Sequence, residues 1–267
     1  MVRDHQATVI ERRDLGPEVF RLVLDAPSLA GELRPGQFLM VRLRPEESDD
    51  PLLRRPFGYF AADPETGRVE LLIRVVGRGT ALLRRVVPGE RLMVLGPLGR
   101  GFTPAARGPV LIAGGGLGIV PLFGLAQLLA PSLPVTFVYG ARTAAELYGR
   151  EELQKLPLRL VVATDDGSVG VRGTVSTVVA GLGVEEFVFY YACGPVPMLA
   201  SLQRLMAERG IPGEISLETR MACGFGACLG CAVPVRGPDG RTVYRRACTD
   251  GPVFPAGEVI LECPGPI

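Results

Sequence analysis

Residues 109–130 read PVLIAGGGLGIVPLFGLAQLLA. The apolar run up to Ala113 suits a buried strand, and VPLFGLAQLLA suits a helix. Between them stand Gly114, Gly115, Gly116 and Gly118. A strand that passes through glycines into a helix lets the backbone approach a phosphate-bearing ligand at the strand's carboxyl end. The spacing is not G-x-G-x-x-G, so the standard dinucleotide fingerprint is unmatched, and a tight structural turn is the competing reading. No charged residue occurs in 108–140, yet a membrane span is not expected. The four glycines would each cost a helix about 1 kcal/mol, and Pro121, Pro131 and Pro134 about 3 kcal/mol each.

Towards the C-terminus the pattern repeats. VTFVYGAR, LRLVVATDD and EFVFYYACG read as strands; AAELYGREELQKL, TVSTVVAGL and VPMLASLQRLMAERG read as helices. Alternation of nearly continuous apolar strands with helices predicts a parallel α/β sheet covered on both faces. Asp165 and Asp166 close one strand, where they would touch a ribose hydroxyl or cap a turn. Cys193 and Gly194 close another, with a nicotinamide-side role and a small buried hydrophobe as the two readings. Towards the N-terminus, ATVIERR, VFRLVLDA, QFLMVRLR, FGYFAA, RVELLIRVVG and RLMVLGP read as short strands. Their spacing predicts a small antiparallel β-barrel. The expected organisation is a barrel in 1–102, an α/β domain in 103–212 and a glycine-rich unit in 213–267 with two short strand-like runs.

The chain has 267 residues, with 29 basic and 28 acidic side chains. That balance argues against nucleic acid or an anionic membrane surface as a partner. His5 is the only histidine, which argues against histidine acid–base catalysis and His-rich metal sites. The opening MVRDHQATVIERRD has no apolar core of signal-peptide length, so a cytoplasmic protein is expected. In that compartment the six cysteines are expected as ligands or buried thiols rather than disulfides.

Four cysteines fall in RMACGFGACLGC and the following ACTDG: Cys223, Cys228, Cys231 and Cys248. C-x4-C-x2-C followed by a distant Cys is the spacing of a plant-type [2Fe–2S] site. A zinc ribbon, the alternative, usually shows two C-x2-C pairs. Cys263 has no evident partner and is expected to be structural. A [2Fe–2S] centre passes single electrons whereas nicotinamide passes a hydride, so a flavin is required between them. RRPFGYF places arginine before proline at the start of a barrel strand, where a guanidinium suits a pyrophosphate. LIRVVGRGT ends at Gly79 and Thr80, just before a helix-like run whose first N–H groups attract phosphate.

Arg-Pro-x-x, Gly-Thr, Gly-Gly-Gly-x-Gly-x-x-Pro and Cys-Gly-Pro, in this order, resemble the ferredoxin–NADP reductase superfamily. LETRMACGFGACLGCAVPV with ACTDGPVF narrows the resemblance to the electron-transfer subunits of NAD-linked bacterial dihydroorotate dehydrogenases. It covers essentially the whole chain and implies FAD held by Arg55, Pro56, Phe57, Gly58, Leu72, Ile73, Arg74, Gly79 and Thr80. It implies a cluster on Cys223, Cys228, Cys231 and Cys248, and exchangeable NAD at the glycine loop and the Cys193–Gly194 turn. It further implies an FMN-bearing catalytic partner that oxidises dihydroorotate, two copies of each subunit, and a place in pyrimidine biosynthesis. The family usually carries serine where this chain has Gly58. A reductase serving an oxygenase, a hydrogenase or a ferredoxin-linked enzyme, and a zinc-stapled binding module, are the rival functions.

Overall fold

The computed structural model describes residues 2–43 and 50–261; Cys263 lies outside them. The first part of the chain forms β1 (Arg3–Asp14), β2 (Val19–Asp25), α1 (Pro27–Ala30), β3 (Phe38–Val41), β4 (Arg55–Gly58), β5 (Ala61–Asp63), β6 (Arg68–Arg74), α2 (Arg78–Leu83) and β7 (Arg91–Leu98). Their antiparallel sheet has the order β4-β3-β7-β1-β2-β6-β5. Its two edge strands are consecutive in the chain, so the sheet must curl into a barrel-like form. The single strand expected over FGYFAA is therefore two strands: Tyr59 and Phe60, both buried, turn the chain from one edge to the other. Alternate residues of β1 and β2, including Ala7, Val9, Phe20, Leu22 and Leu24, fill the interior with Leu39, Val41, Leu71 and Ile73.

The second part supplies β8 (Val110–Gly115), α3 (Ile119–Leu129), β9 (Val135–Ala141), α4 (Arg150–Leu153), β10 (Arg159–Thr164), β11 (Val171–Arg172), α5 (Val175–Ala180), β12 (Phe189–Cys193), α6 (Val196–Glu208) and β13 (Gly213–Ser216). The chain then makes a hairpin, β14 (Ala232–Arg236) with β15 (Thr242–Arg246), and finishes with β16 (Val253–Pro255). The second sheet is ordered β11-β10-β9-β8-β12-β13-β16 and is parallel except at β16. Along β8, Leu111 and Ala113 face α5 and α6, whereas Val110 and Ile112 face α3. Both faces are thus buried, which is why the strands read as continuous apolar runs. Leu122, Leu125 and Leu129 of α3 are almost fully enclosed, each stabilising the layer by about 1.5–3 kcal/mol.

Two further expectations change. The helix expected over AAELYGREELQKL is only a 3₁₀ turn at Ala144–Glu146 and the single turn of α4. Gly149 breaks it: its φ is +74°, and a Cβ there would lie 2.7 Å from the Phe60 ring. The boundary expected at 212/213 also cuts through a sheet, because β13 and β16 complete the seven-stranded layer. GEIS is too short and polar to announce itself, and it gains its place by pairing with β12.

Barrel and α/β layer are joined by side chains. Arg21 of β2 bonds Glu152 of α4 at 2.5 Å and approaches Glu70 of β6 at 3.3 Å. Its guanidinium lies 5.2 Å from the centre of the Phe60 ring, which stacks on Phe123 of α3 at 4.2 Å. Below the barrel, buried Glu214 of β13 accepts from the N–H and hydroxyl of Thr103 in the connecting segment.

Candidate functional site

A cleft of about 710 Å³ opens between the barrel and the carboxyl edge of the parallel sheet. β4 contributes Arg55, Pro56, Phe57 and Gly58; β6 contributes Leu72, Ile73 and Arg74; the start of α2 contributes Gly79 and Thr80. Cys193 at the end of β12 faces them, so ten of the fifteen residues expected to hold FAD and NAD share one cavity. The Arg74 Nε is buried without a hydrogen-bond partner, an orphaned donor of the kind an anionic or carbonyl-bearing cofactor would satisfy. Arg55 donates to the Leu53 carbonyl at 2.6 Å, and its stem passes so close to Gly79 that a Cβ there would lie 3.4 Å from it. The Thr80 hydroxyl is already engaged. It accepts from the N–H groups of Val76 and Gly77 and donates to the Gly77 carbonyl. Its task is to shape the turn that presents the α2 backbone.

Gly114, Gly115, Gly116, Gly118 and Gly194 lie beside this cleft, at the carboxyl ends of β8 and β12. The sheet order runs outward from β8 in both directions, so this is the switch point where α/β sheets open a crevice for ligands. The need for glycine here is largely internal. A Cβ on Gly118 would collide with the Cys193 carbonyl, and one on Gly115 would lie 2.7 Å from the Met198 sulfur. Only Gly116, at φ +56°, has no neighbour within 4 Å. The thiol of Cys193 is fully buried. Burial pushes its pKa well up, the Glu218 charge adds to this, and the Ser216 hydroxyl offsets part of it. It is a neutral thiol at the cleft wall.

From β13 the wall continues through Ser216, Leu217, Glu218, Thr219, Arg220 and Met221, two residues short of Cys223. Burial raises the pKa of Glu218, with the Arg74 charge opposing it. The four cysteines then gather as two pairs. Cys223 contacts Cys228, and Cys231 contacts Cys248, which also feels the Cys223 charge. Among the described residues no three Cys, His, Asp or Glu side chains are placed to hold a metal ion; four thiols gathered about one glycine-rich loop are the donor set that an iron–sulfur cluster takes. All five described cysteines are free. Burial pushes the Cys223 thiol up, but N–H groups of Cys228, Phe225 and Ala227 outweigh it and bring the thiol down to about 6. The loop holds this shape with Gly226 at φ +91° and Leu229 at φ +58°, and Arg246 donates to the Gly226 carbonyl at 3.2 Å. Cys231 and Cys248 are buried, whereas Cys228 is exposed beside exposed Phe225 and Leu229.

Three family models match successive parts of the chain. Residues 6–102 match an oxidoreductase FAD-binding domain, 111–204 an oxidoreductase NAD-binding domain, and 218–260 the iron–sulfur cluster binding domain of dihydroorotate dehydrogenase B. The chain is 40% identical over 265 residues to the dihydroorotate dehydrogenase B (NAD(+)) electron transfer subunit of Desulforamulus reducens, covering 98% of this chain and 100% of that one. The subunit of the same name from Geobacillus thermodenitrificans is 41% identical over 265 residues, with the same coverage. This chain belongs to the dihydroorotate dehydrogenase B electron transfer subunit family.

As a member of the dihydroorotate dehydrogenase B electron transfer subunit family, the chain is an NAD-linked flavin oxidoreductase subunit with FAD-binding, NAD-binding and iron–sulfur cluster binding domains. Its architecture is that of a solved NADH-dependent reduced ferredoxin-NADP oxidoreductase studied for flavin-based electron bifurcation. That similarity has a TM-score of 0.85 and 32% identity, over 96% of this chain and 90% of the other. A ferredoxin reductase of carbazole 1,9a-dioxygenase matches over 79% of this chain and 67% of its own length, with TM-score 0.65 and 26% identity. The family's cluster domain takes in all four paired cysteines. No helix among the described residues is long and apolar enough to cross a membrane. Sequence reasoning missed Gln37, Val120 and the run from Ser216 to Met221 as cleft residues. The one available signal for that run was its position immediately before the cysteines.

Proposed function

We propose that this chain carries electrons from the FMN of a dihydroorotate-oxidising catalytic subunit, through a [2Fe–2S] cluster and FAD, to NAD+ in pyrimidine biosynthesis. The observation that carries this reading is the continuity of one wall. The cleft lined by Arg55, Gly58 and Arg74 runs past Cys193 and Glu218 to Met221, beside the first cysteine pair. When bound, FAD exchanges paired for single electrons and the cluster handles single electrons.

Arg55 and the N–H groups after Gly77 would take the FAD pyrophosphate, with Arg74 offering its free Nε–H to a flavin carbonyl. Pro56, Phe57, Gly58, Leu72 and Ile73 would line the ring. Val120 and the buried Cys193 exclude water from the side that the nicotinamide approaches across Gly114–Gly118 and Gly194. Cys223 with Cys228 would hold one iron, and Cys231 with Cys248 the other. In functional terms the regions are 1–102 for FAD, 103–212 for NAD and 213–267 for the cluster, with β13 and β16 of the last built into the NAD sheet. The exposed side of the cluster loop, with Phe225 and Leu229, would face the catalytic subunit in a cytoplasmic assembly of two plus two.

The test has two stages. Anaerobic titration of the purified holoprotein with NADH should bleach both flavin and cluster absorbance. Mixing with the FMN subunit should then give dihydroorotate-dependent NAD+ reduction. Reduction by NADPH alone would favour a ferredoxin-linked reductase, the role named for the similar structure. A colourless, zinc-loaded protein would end the electron-transfer reading.

A further inference from the structure

The carboxyl ends of β8, β9 and β10 are in register. Gly115 pairs with Gly140, and Gly140 with Ala163; Ala141 then pairs with Thr164. Gly116, Arg142 and Asp165 thus stand one step beyond the paired residues on three adjacent strands, about 5 Å apart from strand to strand. A dinucleotide whose pyrophosphate lies at the glycine loop extends its adenosine along this edge. In such folds an acidic side chain past the second strand takes the ribose 2′-hydroxyl, whereas an arginine there accommodates the 2′-phosphate of NADP.

Here both types are present and bound to each other. The Arg142 Nε donates to one oxygen of Glu146 at 3.1 Å, and its terminal nitrogen pairs with the other at 2.7 Å. That two-point fork is the strong geometry for a guanidinium and a carboxylate. The Glu146 side chain is 21% exposed and that of Arg142 71%, so the carboxylate is set into the wall and the arginine lies over it. The 3₁₀ turn carrying Glu146 is pinned to the end of β10. Ser168 accepts from the Ala144 N–H at 2.8 Å and donates to Asp166 at 2.7 Å. Glu18 of the barrel and Asp165 add further negative charge around Arg142.

We propose that Glu146, locked by Arg142, selects NADH over NADPH: its carboxylate takes the adenosine ribose hydroxyls and occupies the guanidinium that a 2′-phosphate would need. A 2′-phosphate would have to break the fork and sit among carboxylates, a like-charge arrangement that rejects a wrong ligand. The inference rests on the reading that nicotinamide dinucleotide binds at this edge.

The test compares holoprotein of wild type, E146Q and the E146Q/R142A double variant by stopped-flow reduction of the bound flavin with NADH and with NADPH. Wild type should favour NADH. E146Q frees Arg142 and should raise the NADPH-to-NADH ratio of second-order rate constants about tenfold, the effect of one charge-assisted contact. Removing Arg142 as well should cancel that gain. Independently of any variant, AMP should compete with NADH more tightly than 2′-phospho-AMP does. An unchanged ratio in E146Q, or tighter competition by 2′-phospho-AMP, overturns the inference while leaving the electron-transfer function intact. Reduction of wild type by neither dinucleotide overturns that function and the inference with it.

Discussion

A serine placed at Gly58 would bring its Cβ to 3.2 Å from Val120 on α3, so the added hydroxyl enters the cleft at the cost of a small shift of that valine. We expect Gly58→Ser to leave the FAD-to-protein ratio unchanged and to alter the rate of flavin reduction by NADH in stopped flow; an identical rate would show that the position does not tune the site. Arg74 makes a second prediction. Loss of a charged donor that satisfies a bound cofactor costs about 1.5–3 kcal/mol, or about ten- to hundredfold in affinity. Arg74→Ala should weaken FAD retention by that factor, read from the fluorescence of flavin released on dilution. The residue types of this site were legible in the sequence wherever chemistry dictates them: paired thiols, an arginine before proline, glycines after a strand. Ser216 and Glu218 were not, because a serine and a glutamate are ordinary anywhere. Only the pairing of β13 with β12 brings them to Cys193.

Among the elements, the strands and the long helices could be read from period and length. α1, β11 and β16 had no expected counterpart, and two other short pieces were misread. β13 is four residues whose identity as a strand exists only in the company of β12 and β16, and the segment around α4 has helix-forming residues overruled by one glycine against the Phe60 ring. That overruled segment carries the clamp between the domains. Burial raises the Glu152 carboxyl, but the hydrogen bond and charge of Arg21, a backbone N–H and the Lys155 charge together outweigh it and hold the pKa below the ordinary value. A carboxyl lowered on folding contributes stability above its unfolded pKa and loses it as the pH falls through the folded value. Glu70 works the other way, because burial leaves its pKa raised. Thermal melts between about pH 3 and pH 6 should therefore show wild type losing more stability on acidification than Glu152→Gln; equal slopes would remove the clamp from the account. The cluster loop makes its own prediction. Phe225 is 55% exposed beside the exposed Cys228. Phe225→Asp should keep the visible spectrum and the NADH reduction of the isolated subunit. It should lower dihydroorotate-to-NAD+ coupling with the catalytic subunit about tenfold or more, as loss of a central aromatic contact does.

In the whole molecule, the barrel, the parallel layer and the cysteine loop share cores. Phe38, Met40 and Leu98 of the barrel pack in one cluster with Leu111 and Tyr190 of the sheet and with Cys231, Val235 and Cys248. Three-domain organisation was visible in the changing period of the sequence. The seam between the second and third domains was not, because the chain leaves the sheet edge after β13 and returns to it at β16. That return has a practical meaning. The excursion between Ser216 and Val253 begins and ends on one strand pair, so the strand frame is continuous beneath the cluster unit, although the two share core residues. Stripping the metal with a chelator under reducing conditions should abolish the cluster absorbance. The NADH-driven bleaching of the flavin should survive, and iron with sulfide should restore the original spectrum. Simultaneous loss of flavin would show that the frame needs its insert. Retention of the flavin would mean that a centre exposed at Cys228 can be lost and rebuilt on a chain that stays folded.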